Sequence, residues 1–171
     1  MKVLRLSLLL AIAPACASAA DPTTAISRDA QACADALMNG DLEGVVAYTH
    51  PRIVEMIGGT DAMVAIIKQG IEKMKRDGVS FSSVSLGAAS KAREIGGWLT
   101  SIVPQTIVMQ VPGGTLTTES ALLGISENGG ANWVFVDLGP ISKAQLQQAF
   151  PEIADGIVIP PKKKPVFVEA P

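Results

Sequence analysis

The apolar pattern of the chain changes its period near residue 79. Before that point apolar residues recur every three or four positions, as at Ile26, Ala30 and Cys33, which is typical of an amphipathic helix. After it, apolar and polar residues alternate in segments rich in Val, Ile and Thr, which is typical of strands. Helices followed by strands predict an α+β fold in which N-terminal helices pack on an antiparallel sheet.

The helical part is predicted to contain long helices at 24–39 and 61–76, with short helical segments between them. Asp41 is expected to cap a short helix, and Pro51 suits the first position of the next one. Thr60 is expected to cap the second long helix. The apolar face of that helix, expected to point inward, consists of Val64, Ile67, Ile71 and Met74.

Four strands are predicted in the alternating part. The sequences at 112–114 and 127–130 contain paired glycines and read as hairpin turns, so the last three strands should form an antiparallel meander. Pro104 cannot donate to a ladder and predicts a bulge or an edge, while a change of phase near Ser82 and Ser83 predicts a second bulge. The predicted strands are 79–86, 98–111, 115–126 and 132–138.

The C-terminal part is predicted to be a short helix and a tail. Ser142 and Gln145 have the spacing of a capping box, and Pro151 should end the helix that they begin. The prolines and lysines that follow predict an extended tail at 152–171, so the single domain should span 24–151. The lysine triplet 162–164 is shorter than the clusters of about four to eight basic residues that recognise anionic lipids, so we expect it to be solvated.

Residues 1–20 have the organisation of a secretory signal peptide. Lys2 and Arg5 precede an apolar run, and the small residues ASA follow at 17–19. The run is shorter than the roughly 20 residues of a membrane-spanning helix. We therefore expect an exported protein, periplasmic or secreted, with a lipoprotein modified at Cys16 as the alternative.

Charge and cysteine content restrict the partners further. The formal net charge is −2, which gives nucleic acid no basic surface to bind. Removal of residues 1–20 would leave Cys33 as the one cysteine, which excludes a disulfide within the chain. Its position on the apolar helix face predicts a small buried hydrophobic residue.

Two stretches of the sequence resemble a known superfamily. The sequence ALMNGDLEGVVAYTHPRIVEMIGG, in which GD marks the break between two helices, and the strand NWVFVDLGP are similar to the nuclear transport factor 2-like proteins. These include SnoaL-like cyclases, ketosteroid isomerases and scytalone dehydratase. The resemblance implies a cone-shaped, cystatin-like fold with a strongly curved sheet and a pocket under the long helix. The first helix here has no tyrosine to match the oxyanion donor of the isomerases, so no catalytic residue is carried over.

Three ionisable side chains are candidates for acid–base chemistry. His50, the only histidine, precedes Pro51, which favours a structural position beside a helix end. Glu119 lies in mid-strand on the face that we expect to point to solvent. Asp137 shares a strand face with aromatic residues, and a carboxyl on an inner face would have a raised pKa.

The sequence offers few candidates for ligand, metal or cofactor sites. Tyr48, Trp98 and Asn132 are candidates for contact with a ligand. One histidine, with no cluster at metal-ligand spacing, predicts no metal site, and the glycine pairs do not form a phosphate-binding loop. We therefore predict that the protein needs no cofactor.

These observations leave three functions open. Because no catalytic set converges in the sequence, we favour an exported domain that binds a small ligand or a protein partner through a cone pocket. The alternative is a cofactor-free isomerase, dehydratase or cyclase that uses Asp137, Glu119 or His50. The third is a structural interaction domain that forms a homodimer through the outer sheet face.

Overall fold

The computed structural model describes residues 22–170. The predicted signal peptide and Cys16 lie outside the described residues, and within them no helix is both long and apolar enough to cross a membrane. The fold is α+β, with N-terminal helices packed on a six-stranded antiparallel sheet and a short C-terminal helix, as predicted. The helices are α1 Pro22–Asn39, α2 Leu42–Tyr48, α3 Pro51–Ile57, α4 Thr60–Arg76 and α5 Lys143–Ala149.

Local sequence signals place the ends of the helices. The Asp41 side chain accepts a hydrogen bond from the Gly44 N–H at the start of α2, and Pro51 begins α3 as predicted. The prediction for α4 was wrong by one residue: Gly59 is the N-cap, without a side-chain hydrogen bond, and Thr60 is already helical. The preceding Gly58 has a φ of 109°, a left-handed conformation that disfavours residues with a Cβ and ends α3.

The sheet has the order β1-β3-β4-β5, in which β3 and β4 form a long central hairpin. Two further strands were not predicted: β2 pairs with the start of β3, and β6 pairs with the start of β4. All of these strand pairs are antiparallel. The strands are β1 Ser80–Leu86, β2 Arg93–Ile95, β3 Trp98–Val111, β4 Gly114–Ser126, β5 Val134–Asp137 and β6 Val166–Glu169.

One of the two predicted bulges is present. The register of β1 against β3 shifts between Phe81 and Ser83, which confirms the bulge expected there. At Pro104 the β3–β4 register runs without a shift. The Pro104 carbonyl accepts from the N–H of Gly87, just beyond the end of β1, so the missing N–H faces the side where the β1 ladder has ended. Pro104 therefore occupies a local edge, the second of the two predicted outcomes.

The two faces of the sheet carry separate apolar clusters. Helix α1 packs on one face, and Asp29 pins it there by accepting a hydrogen bond from the Trp133 N–H at 2.9 Å. The α1 cluster is Ala25, Ile26, Ala30, Val103, Leu122, Trp133 and Phe135. On the opposite face lie α5 and a 3₁₀ turn at Ala154–Gly156. The α5 cluster contains Leu123, Ile125, Val136, Leu146, Phe150 and Ile153.

The segment after Pro151, predicted as an extended tail, is integrated into the fold. Ile153 and Ala154 are buried in the α5 cluster. The chain then runs along the edge of β4, where the Lys163 ammonium is ion-paired with the Glu119 carboxylate, and it ends as β6. The strand was not predicted because its pairing with β4 joins segments about fifty residues apart in the chain.

Candidate functional site

A cavity of about 530 Å³ lies between the N-terminal helices and the sheet, and it opens to solvent. Helices α1 to α3 supply most of its helical wall, α5 and the loop before it supply another part, and α4 contributes Met63. The four predicted inward residues of α4 form its less exposed face, yet none of the helix's residues is buried. The apolar wall consists mainly of Ala34, Leu37, Val45, Ile53, Met56, Ile57, Met63, Val84, Leu122, Phe135, Val136, Ile141 and Ala149.

Few polar side chains interrupt this wall. The Thr49 hydroxyl donates to the Val45 carbonyl, and the Gln145 side chain is used by the capping box of α5. Asp137 and Gln105 remain as polar groups on the sheet side of the cavity. The wall contains no Lys, Arg or His among the described residues, so nothing in it supplies a positive charge.

Asp137 is the one candidate acid–base residue that reaches this cavity. It ends β5 opposite Leu122, and its Oδ1 accepts a hydrogen bond from the Gly139 N–H at 2.8 Å. Although the residue is exposed to the open cavity, the surrounding protein displaces enough water to raise the pKa of its carboxyl. The hydrogen bond from Gly139 opposes that shift only in part. Asp137 can therefore accept a hydrogen bond from a molecule in the cavity.

Gln105 is a second polar group that the sequence interpretation missed. It lies in β3 directly opposite Ser120 and is only 7% exposed. No described residue hydrogen-bonds to its amide, and that amide borders the cavity. The Ser120 hydroxyl beside it is fully buried and also lacks a partner. A signal for Gln105 was present, because it interrupts the apolar face that Val103 and Ile107 define.

Cys33 borders the cavity from α1 rather than lying in a closed core, which corrects the prediction of a simple buried hydrophobic residue. Burial, with the nearby charge of Asp137, raises the pKa of its thiol to about 11. Near neutral pH it is therefore protonated and weakly nucleophilic. Cys33 is a wall residue and not a reactive group.

His50 belongs to the joint between the helices and the sheet, not to the cavity. Its Nδ1 accepts from the Arg52 N–H at 3.2 Å and so caps α3. Its own backbone N–H donates to the Phe135 carbonyl at 2.9 Å. The ring lies edge-on to Phe150 with a centroid distance of 4.7 Å. His50 is therefore a structural contact between α3, β5 and the α5 cluster.

Two influences on the charge of His50 compete. Nε2 lies 3.7 Å from the Glu127 carboxylate, which favours protonation, while burial and the Arg52 charge favour the neutral ring. Burial prevails, because the ring is 2% exposed, whereas Glu127 is mostly in solvent and makes no hydrogen bond to it. The pKa of His50 is lowered to about 4.

The remaining candidates lie elsewhere. Trp98 stacks under the Arg52 guanidinium at 4.7 Å, and Tyr48 packs half-buried against the α1 cluster. Asn132 is exposed in the turn before β5. Glu119 is exposed, as predicted, and pairs with Lys163, but its strand face is the one on which the α5 cluster packs further along β4. Of the six candidate residues, Asp137 is the one that borders the first cavity.

A second cavity, of about 420 Å³, lies where the C-terminal segment crosses the edge of β4. The segment contributes Pro160 to Lys163, and the sheet contributes Glu119 and Ser120. Asp137 borders this cavity as well as the first. Lys163 is therefore held close to the outer sheet face and does not extend freely into solvent.

The described residues contain no group of three His, Cys, Asp or Glu side chains that could hold a metal ion. No family model matches the sequence, and comparison with curated proteins and with solved structures gave no match.

Proposed function

We propose that this protein binds a small, mainly apolar molecule in the cavity between its N-terminal helices and the sheet. The observation that carries this proposal is an open space of about 530 Å³ with a mainly apolar wall, a volume within the usual range of about 300–1,000 Å³ for ligand sites. Met56 and Met63 line the mouth, where flexible thioether side chains can adapt to different shapes.

The test uses N-phenyl-1-naphthylamine, an uncharged dye that fluoresces in apolar surroundings. We expect one dye molecule to bind per chain. Leu37→Trp places a large ring in the cavity wall and should weaken dye binding at least tenfold. Gln31→Trp puts the same ring on the exposed side of α1 and should leave binding unchanged. Equal binding by the two variants would place the dye outside the cavity and overturn the proposal.

Asp137 supports one further candidate, a cofactor-free isomerase. Neither His50 nor Glu119 reaches the cavity, so a single carboxyl would have to remove a proton and return it, which suits isomerisation. The test is deuterium exchange next to the carbonyl of 2-decanone in D₂O. Exchange that is lost in Asp137→Asn supports the enzyme, and no exchange at saturating ketone excludes it.

We also propose that the chain is a member of the nuclear transport factor 2-like superfamily and is exported. The order of helices before an antiparallel meander, with a cavity beneath them, supports the first proposal. The N-terminal sequence supports the second. Fractionation of the native host, with mass spectrometry of the mature N-terminus, tests export: a retained Met1 in the cytoplasm contradicts it, and a lipid on Cys16 selects the lipoprotein alternative.

A further inference from the structure

Two polar residues, Asp137 and Gln105, line the cavity from its sheet side, whereas the other polar lining residues lie on or beside helices: Thr49, Gln145 and Gln148. Asp137 pairs with Leu122 across the β4–β5 ladder, and Gln105 pairs with Ser120 across the β3–β4 ladder. Ser120 and Leu122 point to the same face of β4, because side chains alternate along a strand. Asp137 and Gln105 therefore lie on the same face, on the two strands that flank β4, and both border the cavity. Gly139, which donates to Asp137, lies beside Ser120, the residue opposite Gln105.

The hydrogen-bonding capacity of this polar end is unused. One oxygen of Asp137 accepts from Gly139, which leaves further acceptor positions on the carboxylate. Gln105 is more than nine-tenths buried, and its amide has no partner among the described residues. Because the Asp137 carboxylate is exposed and the Gln105 residue borders the cavity, both can form hydrogen bonds with the polar end of a ligand.

The charge of the wall restricts what that end can be. Among the described residues that line this wall, Asp137 is the only carboxylate, none is cationic, and Cys33 stays protonated. Lys163 lies in the second cavity, where it pairs with Glu119. An anionic ligand would bring a second negative charge into apolar surroundings with no counter-charge. A hydroxyl or amine can instead donate to Asp137 while Gln105 supplies a second hydrogen bond.

We propose that the cavity selects apolar molecules with one hydrogen-bond-donating end, a hydroxyl or an amine, and rejects carboxylates. Asp137 accepts the hydrogen bond from that end, and Gln105 fixes its position. This inference rests on the proposed function, because it assigns the chemical class of the ligand that the same cavity binds.

The experiment measures how well 1-decanol, decylamine and decanoate displace N-phenyl-1-naphthylamine from the full chain. These probes share a ten-carbon tail and differ at the polar end. We expect decanol, decylamine or both to displace the dye at a concentration at least about tenfold lower than decanoate does, since a hydrogen bond to a charged group contributes about that much. The better of the two donors identifies the preferred end.

Variants assign the discrimination to the two residues. Asp137→Asn should reduce the preference over decanoate to within about threefold. Gln105→Leu should weaken decanol binding by about five- to tenfold. Gln148→Leu is the matched control, because Gln148 borders the cavity but is solvated at its mouth, and it should not alter the decanol-to-decanoate ratio. Unfolding midpoints confirm that each variant is folded.

The outcomes separate the two proposals. If the dye does not bind, the proposed function fails and this inference fails with it. If the dye binds but decanol, decylamine and decanoate displace it equally, only the inference is overturned. The same conclusion follows if Asp137→Asn keeps the full preference of the native chain.

Discussion

Leu122 and Leu123 are neighbours in β4, but they point to opposite faces of the sheet and only Leu122 borders the cavity. Leu123 has no exposed area and lies among the α5 cluster. Leu122 points to the other face, where it is buried in the α1 cluster and also borders the open cavity. The α5 face is closed because Phe150 packs among the apolar side chains of the strands, whereas on the opposite face α1 covers part of the sheet and the cavity lies beside it. One strand thus supplies stability on one side and binding space on the other.

Truncating each leucine to alanine tests whether the two sides of β4 differ in packing. Leu123→Ala leaves a void in a closed core and should lower the free energy of unfolding by about 3–5 kcal/mol. Leu122→Ala enlarges a space that already exists and should cost about 1–2 kcal/mol less, because fewer packing contacts are lost. Urea unfolding measures both values. Equal losses would mean that the space beside Leu122 is filled in solution.

The titration of His50, whose ring packs on Phe150, tests whether the α5 side of the sheet is closed to water. Its folded pKa of about 4 lies below the ordinary value of 6.5, so the neutral ring adds stability that is fully present above pH 6.5. That stability is lost as the pH falls from 6.5 through 4. The shift corresponds to roughly 3 kcal/mol at most.

His50→Asn keeps a side chain that can cap α3 but does not titrate. The difference in unfolding free energy between His50→Asn and the native chain should therefore change between pH 7 and pH 4. A difference that stays constant over this range would show that His50 is not desolvated.

Two positions one helical turn apart on α1 compare filled and empty space directly. Ala30 has no exposed area and lies in the α1 cluster, so Ala30→Leu should overpack it and destabilise the protein by about 1–3 kcal/mol. Cys33 borders the cavity, so Cys33→Leu should fill free space and stabilise the protein by about 0.5–2 kcal/mol, with weaker dye binding. Thermal unfolding gives both signs, and destabilisation by Cys33→Leu would contradict the open cavity.

The smallest expected effect concerns the ion pair between Glu119 and Lys163 of the C-terminal segment. Glu119→Gln removes the ion pair with Lys163, and both partners are largely solvated. Such pairs contribute about 0–1 kcal/mol, so unfolding should change by less than about 1 kcal/mol and the salt dependence should weaken. A loss comparable to that of Leu122→Ala would show that this pair, rather than β6 pairing, holds the segment in place.

Short-range signals in the sequence predicted most local features of the fold. The caps at Asp41 and Ser142 and the helix start at Pro51 each depend on residues within one turn of one another. The β3–β4 hairpin follows from alternation and a glycine turn. Strand β6 was not predicted because its partner β4 is remote in the chain. The prolines and lysines that precede β6 also favoured an extended tail.

The candidate site was predictable only in part. Asp137 was singled out because it shares a strand face with aromatic residues, and it does border the cavity. Gln105 was not predicted although it lies on an apolar strand face. His50, a candidate acid–base residue, caps α3 and does not border the cavity. Whether a polar residue on such a face meets a helix, a cavity or solvent depends on what covers the face, which periodicity does not specify.

The sequence by itself determined the fold class, the order of the helices and of four of the six strands, most helix ends and the hairpin, because caps, turns and periodicity act over a few residues. Only the tertiary structure decided that α1 and α5 pack on opposite sheet faces and leave a cavity between the helices and the sheet, and that Asp137 and Gln105 both border it. The physical reason is that a cavity is set by the distance between packed elements, and that distance results from the contacts of many remote residues together.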